Sequence, residues 1–139
     1  MSYWVLPTTA DIGIRAFGRN KNDLLREITL GMQSILLQNN QDLNAITRIT
    51  GRWEVSHDGD SDLLVIKWLD EVLYRAEVYD EFLLDCQPLI KDGMIEAQIS
   101  FAPKDMVKLE LEIKAVTTHD FSFREVAPGL SLIHISEPT

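Results

Sequence analysis

The sequence is poor in cysteine, and its single thiol, Cys86, cannot form a disulfide within the chain. One cysteine is typical of proteins kept in a reducing compartment. Because the residues at positions 82–84 are apolar, we expect Cys86 to be a small buried hydrophobe and not a nucleophile. No apolar run is long enough to cross a bilayer, and the N-terminal segment lacks the basic and apolar parts of an export signal. These absences predict a cytoplasmic protein without membrane contact.

The signatures of common enzyme classes are also missing. There is no phosphate-binding GxxxxGK pattern followed by Ser or Thr, and no GxSxG nucleophile elbow. The three histidines, His57, His119 and His134, do not have the spacing of a metal-ligand set. The sequence therefore predicts a protein that is not an enzyme.

Basic residues are scarce relative to acidic ones. The chain has 13 Lys and Arg against 22 Asp and Glu, which gives a formal net charge of −9. An acidic protein repels phosphate backbones, so we expect no strong direct binding to nucleic acid. The same charge favours docking on a basic protein partner.

Length and periodicity predict the fold class. A chain of 139 residues with 45% apolar and 25% charged residues is typical of one soluble domain. Apolar residues at helical spacing predict helices over 24–36 and 63–76, and alternation predicts strands over 46–57, 82–91 and 94–101. Asn20 is the expected N-cap of the first helix, and Asp92-Gly93 is a hairpin signal between the last two strands. In the second helix we expect Leu63 in the apolar stripe that faces the core, with Trp68 beside that stripe. We therefore expect an α+β, two-layer domain with two helices packed on one face of a mostly antiparallel or mixed sheet.

The last ten residues differ in character from the rest. Residues 130–139 read LSLIHISEPT, which looks like the translation of a sequencing adapter. We predict a domain over residues 1–129 and a tail over residues 130–139 that is not native. The tail alternates apolar and polar residues at its start, so it can be absorbed as a strand whatever its origin.

Two segments at opposite ends of the sequence carry polar residues in unusual places. Asp11 precedes a predicted strand, and Lys114 interrupts another strand just before a predicted polar corner at residues 117–120. Each has a structural explanation: Asp11 can accept backbone hydrogen bonds in a turn, and Lys114 can protect a sheet edge from aggregation. His119 and Asp120 are weaker candidates, with a hydrogen-bonded pair at the corner as the structural alternative.

Acidic residues at 58, 60 and 62 imitate the start of a calcium-binding loop. The sequence lacks the glycine and the glutamate that such a loop requires at its sixth and twelfth positions. Capping of the helix that follows is the better interpretation.

The motifs TADIGI, Phe17-Gly18 and EIKAVTTHDF together resemble the archease family, activators of the RtcB-type RNA ligase. The resemblance implies that Asp11 binds a divalent metal ion, calcium or similar, and that Lys114 is needed for ligase activation. The family usually has a histidine at the position of Thr8 and an aromatic residue at that of Thr118. A second metal-binding aspartate near the C-terminus cannot be carried over, because the tail contains none. Since one carboxylate holds a hard cation poorly, we expect weak metal binding by this chain.

Three functions follow as hypotheses. The first is a non-enzymatic activator that promotes guanylylation and multiple turnover of the RtcB-type RNA ligase in tRNA splicing and RNA repair. The second is a metal-dependent hydrolase with Asp11 as ligand and His119 as general base. The third is a general chaperone or interaction module that uses an exposed sheet edge with Trp4 or Trp53.

Overall fold

The computed structural model describes residues 3–7, 11–38, 41–59, 61–109, 115–124 and 129–136. For the strands at the two ends of the chain, the structure describes mainly how the backbones pair. The helices and strands are β1 (Tyr3–Pro7), β2 (Asp11–Gly18), α1 (Lys21–Leu36), β3 (Ile49–Ser56), α2 (Ser61–Val78), β4 (Glu81–Lys91), β5 (Met94–Pro103), β6 (Ala115–Arg124) and β7 (Gly129–Ser136).

The described strands form two antiparallel sheets. One has four strands in the order β1-β2-β7-β6, and the other has three in the order β3-β5-β4. Helix α1 contacts β1, β2 and β7 of the first sheet and β4 of the second, while α2 contacts β6 and all three strands of the second. The predicted α+β class with two helices and antiparallel pairing is confirmed, and the division into two sheets is a detail that the periodicity did not predict. Within the described residues, neither helix has the length and apolar character of a membrane span.

Helix α1 begins where the sequence predicts. The Asn20 side chain accepts a hydrogen bond from the Asp23 backbone N–H at 2.9 Å, which caps the first turn. Gly18, at the end of β2, lies so close to the helix that a Cβ there would be 2.3 Å from the Leu24 nitrogen. Glycine is therefore required for the tight passage from β2 into α1.

The described core lies between the helices and the two sheets, with Ile14 and Ala16 of β2 among its members. Trp68 is fully buried on α2, and its ring N–H donates to the Thr29 hydroxyl of α1 at 3.0 Å. Thr29 in turn donates to the Leu25 carbonyl at 2.7 Å, so the polar groups of this contact are satisfied. Sequence periodicity placed Leu63 in the buried stripe of α2 and Trp68 beside it. The prediction for Leu63 is wrong, since Leu63 is 41% exposed.

The predicted strand over 46–57 begins three residues later than expected. Residues Leu43–Ala45 form a short 3-10 helix because the Asp42 side chain accepts from the Asn44 backbone N–H at 3.0 Å. By contrast, the predicted hairpin is confirmed: β4 and β5 are joined at Asp92-Gly93, where Gly93 has a φ of +67°.

The polar corner predicted at residues 117–120 is not a corner. Strand β6 runs through it, and its pairing with β7 shifts register between Thr117 and Ser122. An irregular strand accommodates the polar residues without ending the sheet, as β-bulges do. The strand predicted to precede it, over residues 108–113, lies mostly outside the described residues, although Leu109 forms an isolated bridge with Leu37.

Most of the tail predicted at residues 130–139 falls in β7. Strand β7 lies between β2 and β6 in the sheet. The alternation of apolar and polar residues in this segment favours a strand, whatever the origin of the segment. The division into a domain over 1–129 and a tail that is not native stays a prediction.

Candidate functional site

The four-stranded sheet brings the two candidate segments to the same end. Asp11 is the first residue of β2 and lies opposite Ser136 of β7. On the other side of β7, Ser136 lies opposite Ala115, the first residue of β6. Because neighbouring strands are about 4.8 Å apart, the Cα atoms of Asp11 and Ala115 are separated by about 10 Å.

Lys114 lies outside the described residues and directly precedes Ala115 in the chain. The meeting of the Asp11 and Lys114 side chains stays a prediction, because it rests on a residue outside the described part of the chain.

Strand β2 is held in place by the core. Ile14 and Ala16 of β2 are fully buried, and Gly18 fits against the start of α1. Asp11 is three residues from Ile14 on the same strand, so a packed element fixes the position of its backbone. Sites on such elements are more exactly positioned than sites on loops.

His119 and Asp120 lie further along β6, within the stretch where its register with β7 shifts. At about 3.3 Å per residue, His119 is about 13 Å along the strand from Ala115. Strand pairing therefore does not bring His119 to the Asp11 end, which weighs against the hydrolase arrangement with His119 as general base. The predicted pairing of the His119 and Asp120 side chains lies outside what the structure describes.

Among the described residues, the strand register places few oxygen donors for a hard cation at this end. Calcium and magnesium take six or more oxygen ligands, usually including several carboxylates. Of the positions that the strand register places here, Asp11 supplies one carboxylate and Ser136 one hydroxyl, while Glu137 lies outside the described residues. In the part of the chain that the structure describes, no three His, Cys, Asp or Glu residues are grouped as metal ligands. Weak metal binding by this chain stays a prediction.

Cys86 is buried, as predicted. Burial and the neighbouring Asp85 carboxylate raise the pKa of its thiol to about 12. Since the thiolate is the reactive form, a thiol with this pKa is a packing group and not a nucleophile.

Trp53, proposed above as an exposed binding residue, is only 4% exposed. Its ring stacks on Phe101 with centroids 6.0 Å apart, and the Arg75 guanidinium lies over it at 4.9 Å. The prediction for Trp53 is wrong because alternation in β3 turns this residue towards the core. The side chain of Trp4 lies outside the description.

The acidic loop before α2 is described only in part. Asp58 is exposed, Asp60 lies outside the described residues, and Asp62 stands in the first turn of α2. An acidic residue in that turn agrees with helix stabilisation, and the assignment of Asp60 stays a prediction.

Comparison with known proteins identifies relatives over nearly the whole chain. The sequence profile of the Archease protein family (MTH1598/TM1083) matches residues 3–135. Protein archease of Methanosarcina barkeri (strain Fusaro / DSM 804) is 30% identical over 134 residues, covering 91% of this chain and 89% of its own length.

Two solved structures share the fold. The solution structure of Methanobacterium thermoautotrophicum protein 1598 has a TM-score of 0.64 at 20% identity and covers 99% of each chain. The crystal structure of a Thermotoga maritima protein described as an archease and possible chaperone has a TM-score of 0.55 at 16% identity. That match covers 96% of this chain and 94% of the Thermotoga chain. The family match over residues 3–135, the curated relative and the shared fold agree, and this chain belongs to the archease family.

Proposed function

We propose that this chain is a non-enzymatic activator of an RtcB-type RNA ligase and acts in the cytoplasm on tRNA splicing and RNA repair. Family membership supports the proposal, and the observation that carries it is the strand register that places Asp11 and Ala115 on either side of Ser136. That register allows the carboxylate of Asp11 and the ammonium group of Lys114 to act at one point.

The two side chains suit a role inside a partner's active site. An ammonium group pairs with phosphate through charge-assisted hydrogen bonds, and preorganised charge lowers the barrier of guanylyl transfer. In this account Lys114 orients a nucleotide phosphate of the ligase, while Asp11 holds the ammonium group in position. Both roles require that a folded protein carries the two side chains into the active site of the ligase. Neither role requires this protein to catalyse a reaction itself.

A divalent metal at Asp11 is part of the family resemblance, and the described residues at this end of the sheet offer it few donors. We propose weak binding at most, and we assign the metal no step. Calcium titration followed by calorimetry measures it: binding at millimolar or weaker affinity is expected, and tight binding by the 139-residue chain contradicts the assignment.

The function is tested by multiple-turnover RNA ligation with a purified RtcB-type ligase, GTP and divalent metal, with and without this chain. We expect the chain to increase product per ligase and Lys114→Ala to remove most of the stimulation. Lys108→Ala is the matched control, because Lys108 is an exposed lysine. Its hydrogen bonds with the Gln41 side chain are made by its backbone N–H and carbonyl, so the substitution leaves them in place. The Lys108 variant is expected to stimulate like the parent chain.

The assay also separates the remaining hypotheses. Two versions of the chain are compared, one with its own tail and one with the C-terminal segment of an archease in place of residues 130–139. Failure of both versions to stimulate ligation contradicts the proposal. RNA turnover by the chain without ligase indicates the hydrolase. The second candidate function is the third hypothesis, a general chaperone or interaction module. The description of the Thermotoga relative as a possible chaperone favours it. Suppression of aggregation of an unfolded protein, without ligase stimulation, is the result that supports it.

A further inference from the structure

An exposed apolar cluster lies where α2 ends. Tyr74, Val78 and Tyr79 are 49%, 52% and 58% exposed, and the two tyrosine rings form an edge-to-face pair with centroids 5.8 Å apart. A short 3-10 helix, Lys104–Met106, begins next to the end of α2. We call Tyr74, Val78 and Tyr79 the aromatic patch. Single exposed apolar residues are ordinary, whereas adjoining ones mark interaction surfaces.

The patch is anchored to the core and therefore rigid. The Lys104 backbone N–H donates to the Asp80 carbonyl at 2.8 Å, which joins the 3-10 helix to the end of α2. The Arg75 guanidinium lies between the buried Trp53 ring at 4.9 Å and the Tyr79 ring at 5.7 Å. A rigid aromatic surface loses little conformational entropy on binding, which favours tyrosine in interfaces.

The surroundings of the patch are acidic. Its two cations are already neutralised: Arg75 pairs with Glu71 at 2.8 Å and Glu81 at 3.4 Å, and Lys104 pairs with Glu77 at 3.6 Å. The other carboxylates, those of Asp80 and Asp105, are exposed and form no ion pair within the described part of the chain. They line an open depression of about 670 Å³ beside the patch. The local excess of negative charge favours a cationic partner.

We infer that the aromatic patch and its acidic rim dock a basic segment on the surface of the partner ligase. The inference rests on the proposed function. An RNA ligase must bind phosphates, so protein surface near its RNA site carries Lys and Arg. Tyrosine faces attract such cations, and Tyr79 already accepts one from Arg75 within the molecule.

One ligase surface can contact the patch and the candidate site together. Leu109 lines the same depression as Asp80 and Asp105, and it precedes Ala115, the first residue of β6, by six residues. A chain of six residues spans at most about 22 Å, so the depression and the start of β6 are within that distance. Standard interfaces of about 800 Å² per partner are wide enough to include both.

The docking is tested by fluorescence anisotropy of the labelled 139-residue chain titrated with purified ligase. The double variant Tyr74→Ser/Tyr79→Ser is expected to raise the Kd about tenfold or more, since two buried tyrosines at an interface contribute at least that much. Leu89→Ser is the matched control, because Leu89 is an exposed apolar residue, 41% accessible, on β4. Its Kd should equal that of the parent chain, and far-UV circular dichroism verifies that both variants fold.

The charge of the rim is tested separately with Asp80→Asn/Asp105→Asn. Asp80 has a φ of +57°, a conformation that asparagine tolerates well, so the substitution removes charge and leaves the backbone unstrained. We expect the Kd to rise about threefold in low salt and the difference from the parent chain to shrink at 0.5 M NaCl.

Two failures are distinguishable. Equal Kd values for the parent chain and the tyrosine variant, or no binding by the parent chain, overturn the docking inference. Binding that depends on the tyrosines, without any stimulation of ligation, overturns the proposed function and leaves the docking surface supported.

Discussion

The two sheets of the molecule are built in different ways. The three-stranded sheet joins β4 and β5 through a two-residue turn and adds β3, so all of its strands come from the middle of the chain, beneath the buried Trp68. The four-stranded sheet pairs β2 with β7, so Asp11 lies opposite Ser136 from the other end of the sequence. Non-local pairing costs more chain entropy than a hairpin does. We conclude that the middle of the chain supplies stability and that its ends, once joined, supply the candidate site.

The largest expected effect is loss of stability from Trp68→Ala. Trp68 is fully buried and satisfies its ring N–H through Thr29, so truncation leaves a cavity and removes the hydrogen bond that the Thr29 hydroxyl accepts. The free energy of unfolding should fall by about 4 kcal/mol. Urea unfolding followed by far-UV circular dichroism measures this, and Val78→Ala, at an exposed position of the same helix, should change it by less than about 0.5 kcal/mol. A small effect of Trp68→Ala would mean that the middle of the chain is not the stable part.

Gly18→Ala should affect both regions, because Gly18 joins β2 to α1. A Cβ at this position meets the Leu24 backbone nitrogen at 2.3 Å, so β2 or the helix has to move. We expect a loss of about 2 kcal/mol in unfolding free energy, together with weaker ligase stimulation. Gly51→Ala is the control, since its nearest neighbour, the Ile99 Cδ1, would be at an ordinary 3.5 Å. Equal unfolding free energies and equal ligase stimulation for Gly18→Ala and Gly51→Ala would mean that the close approach at Gly18 does not set the position of β2.

The smallest expected effect concerns an ion pair on the solvent face of the three-stranded sheet. Hydrogen bonds from Arg52 and Lys91 hold the pKa of the Glu96 carboxyl below its ordinary value of 4.5. A lowered pKa means that the pair stabilises the folded state above about pH 4.5 and that this contribution disappears as the pH falls through the folded-state pKa.

Glu96→Gln should therefore be slightly less stable than the parent chain at pH 7, by less than Gly18→Ala. The difference should vanish in strongly acid solution and shrink in 0.5 M NaCl, as expected for an exposed pair. Urea unfolding at a series of pH values checks the direction. A difference that grows as the pH falls would contradict the assignment.

Local features of the fold could be predicted from the sequence because local chemistry determines them. The Asn20 cap and the Asp92-Gly93 turn follow from side-chain hydrogen bonding and from the positive φ that glycine permits. The exchange of Leu63 and Trp68 between the exposed and buried sides of α2 was missed, because helical spacing defines a stripe without fixing its edges.

Non-local features could not be predicted in the same way. The register that sets Asp11 and Ala115 around Ser136 depends on pairing between distant segments, and the hydrophobic pattern of one strand does not name its neighbours. The motif resemblance selected Asp11 and Lys114 but gave no geometry. The aromatic patch had a weak signal, since Tyr74 lies off the apolar stripe of α2 and Tyr79 follows the last residue of that helix.

The candidate site requires that segments from the two ends of the chain meet at one end of one sheet. Backbone nuclear Overhauser effects in the isotope-labelled 139-residue chain measure this pairing directly, because paired backbone protons in antiparallel strands lie within range of the effect. We predict cross-strand contacts from Ser136 to both Asp11 and Ala115. Contacts that place Asp11 and Ala115 at opposite ends of the sheet, or in separate sheets, would contradict the central claim.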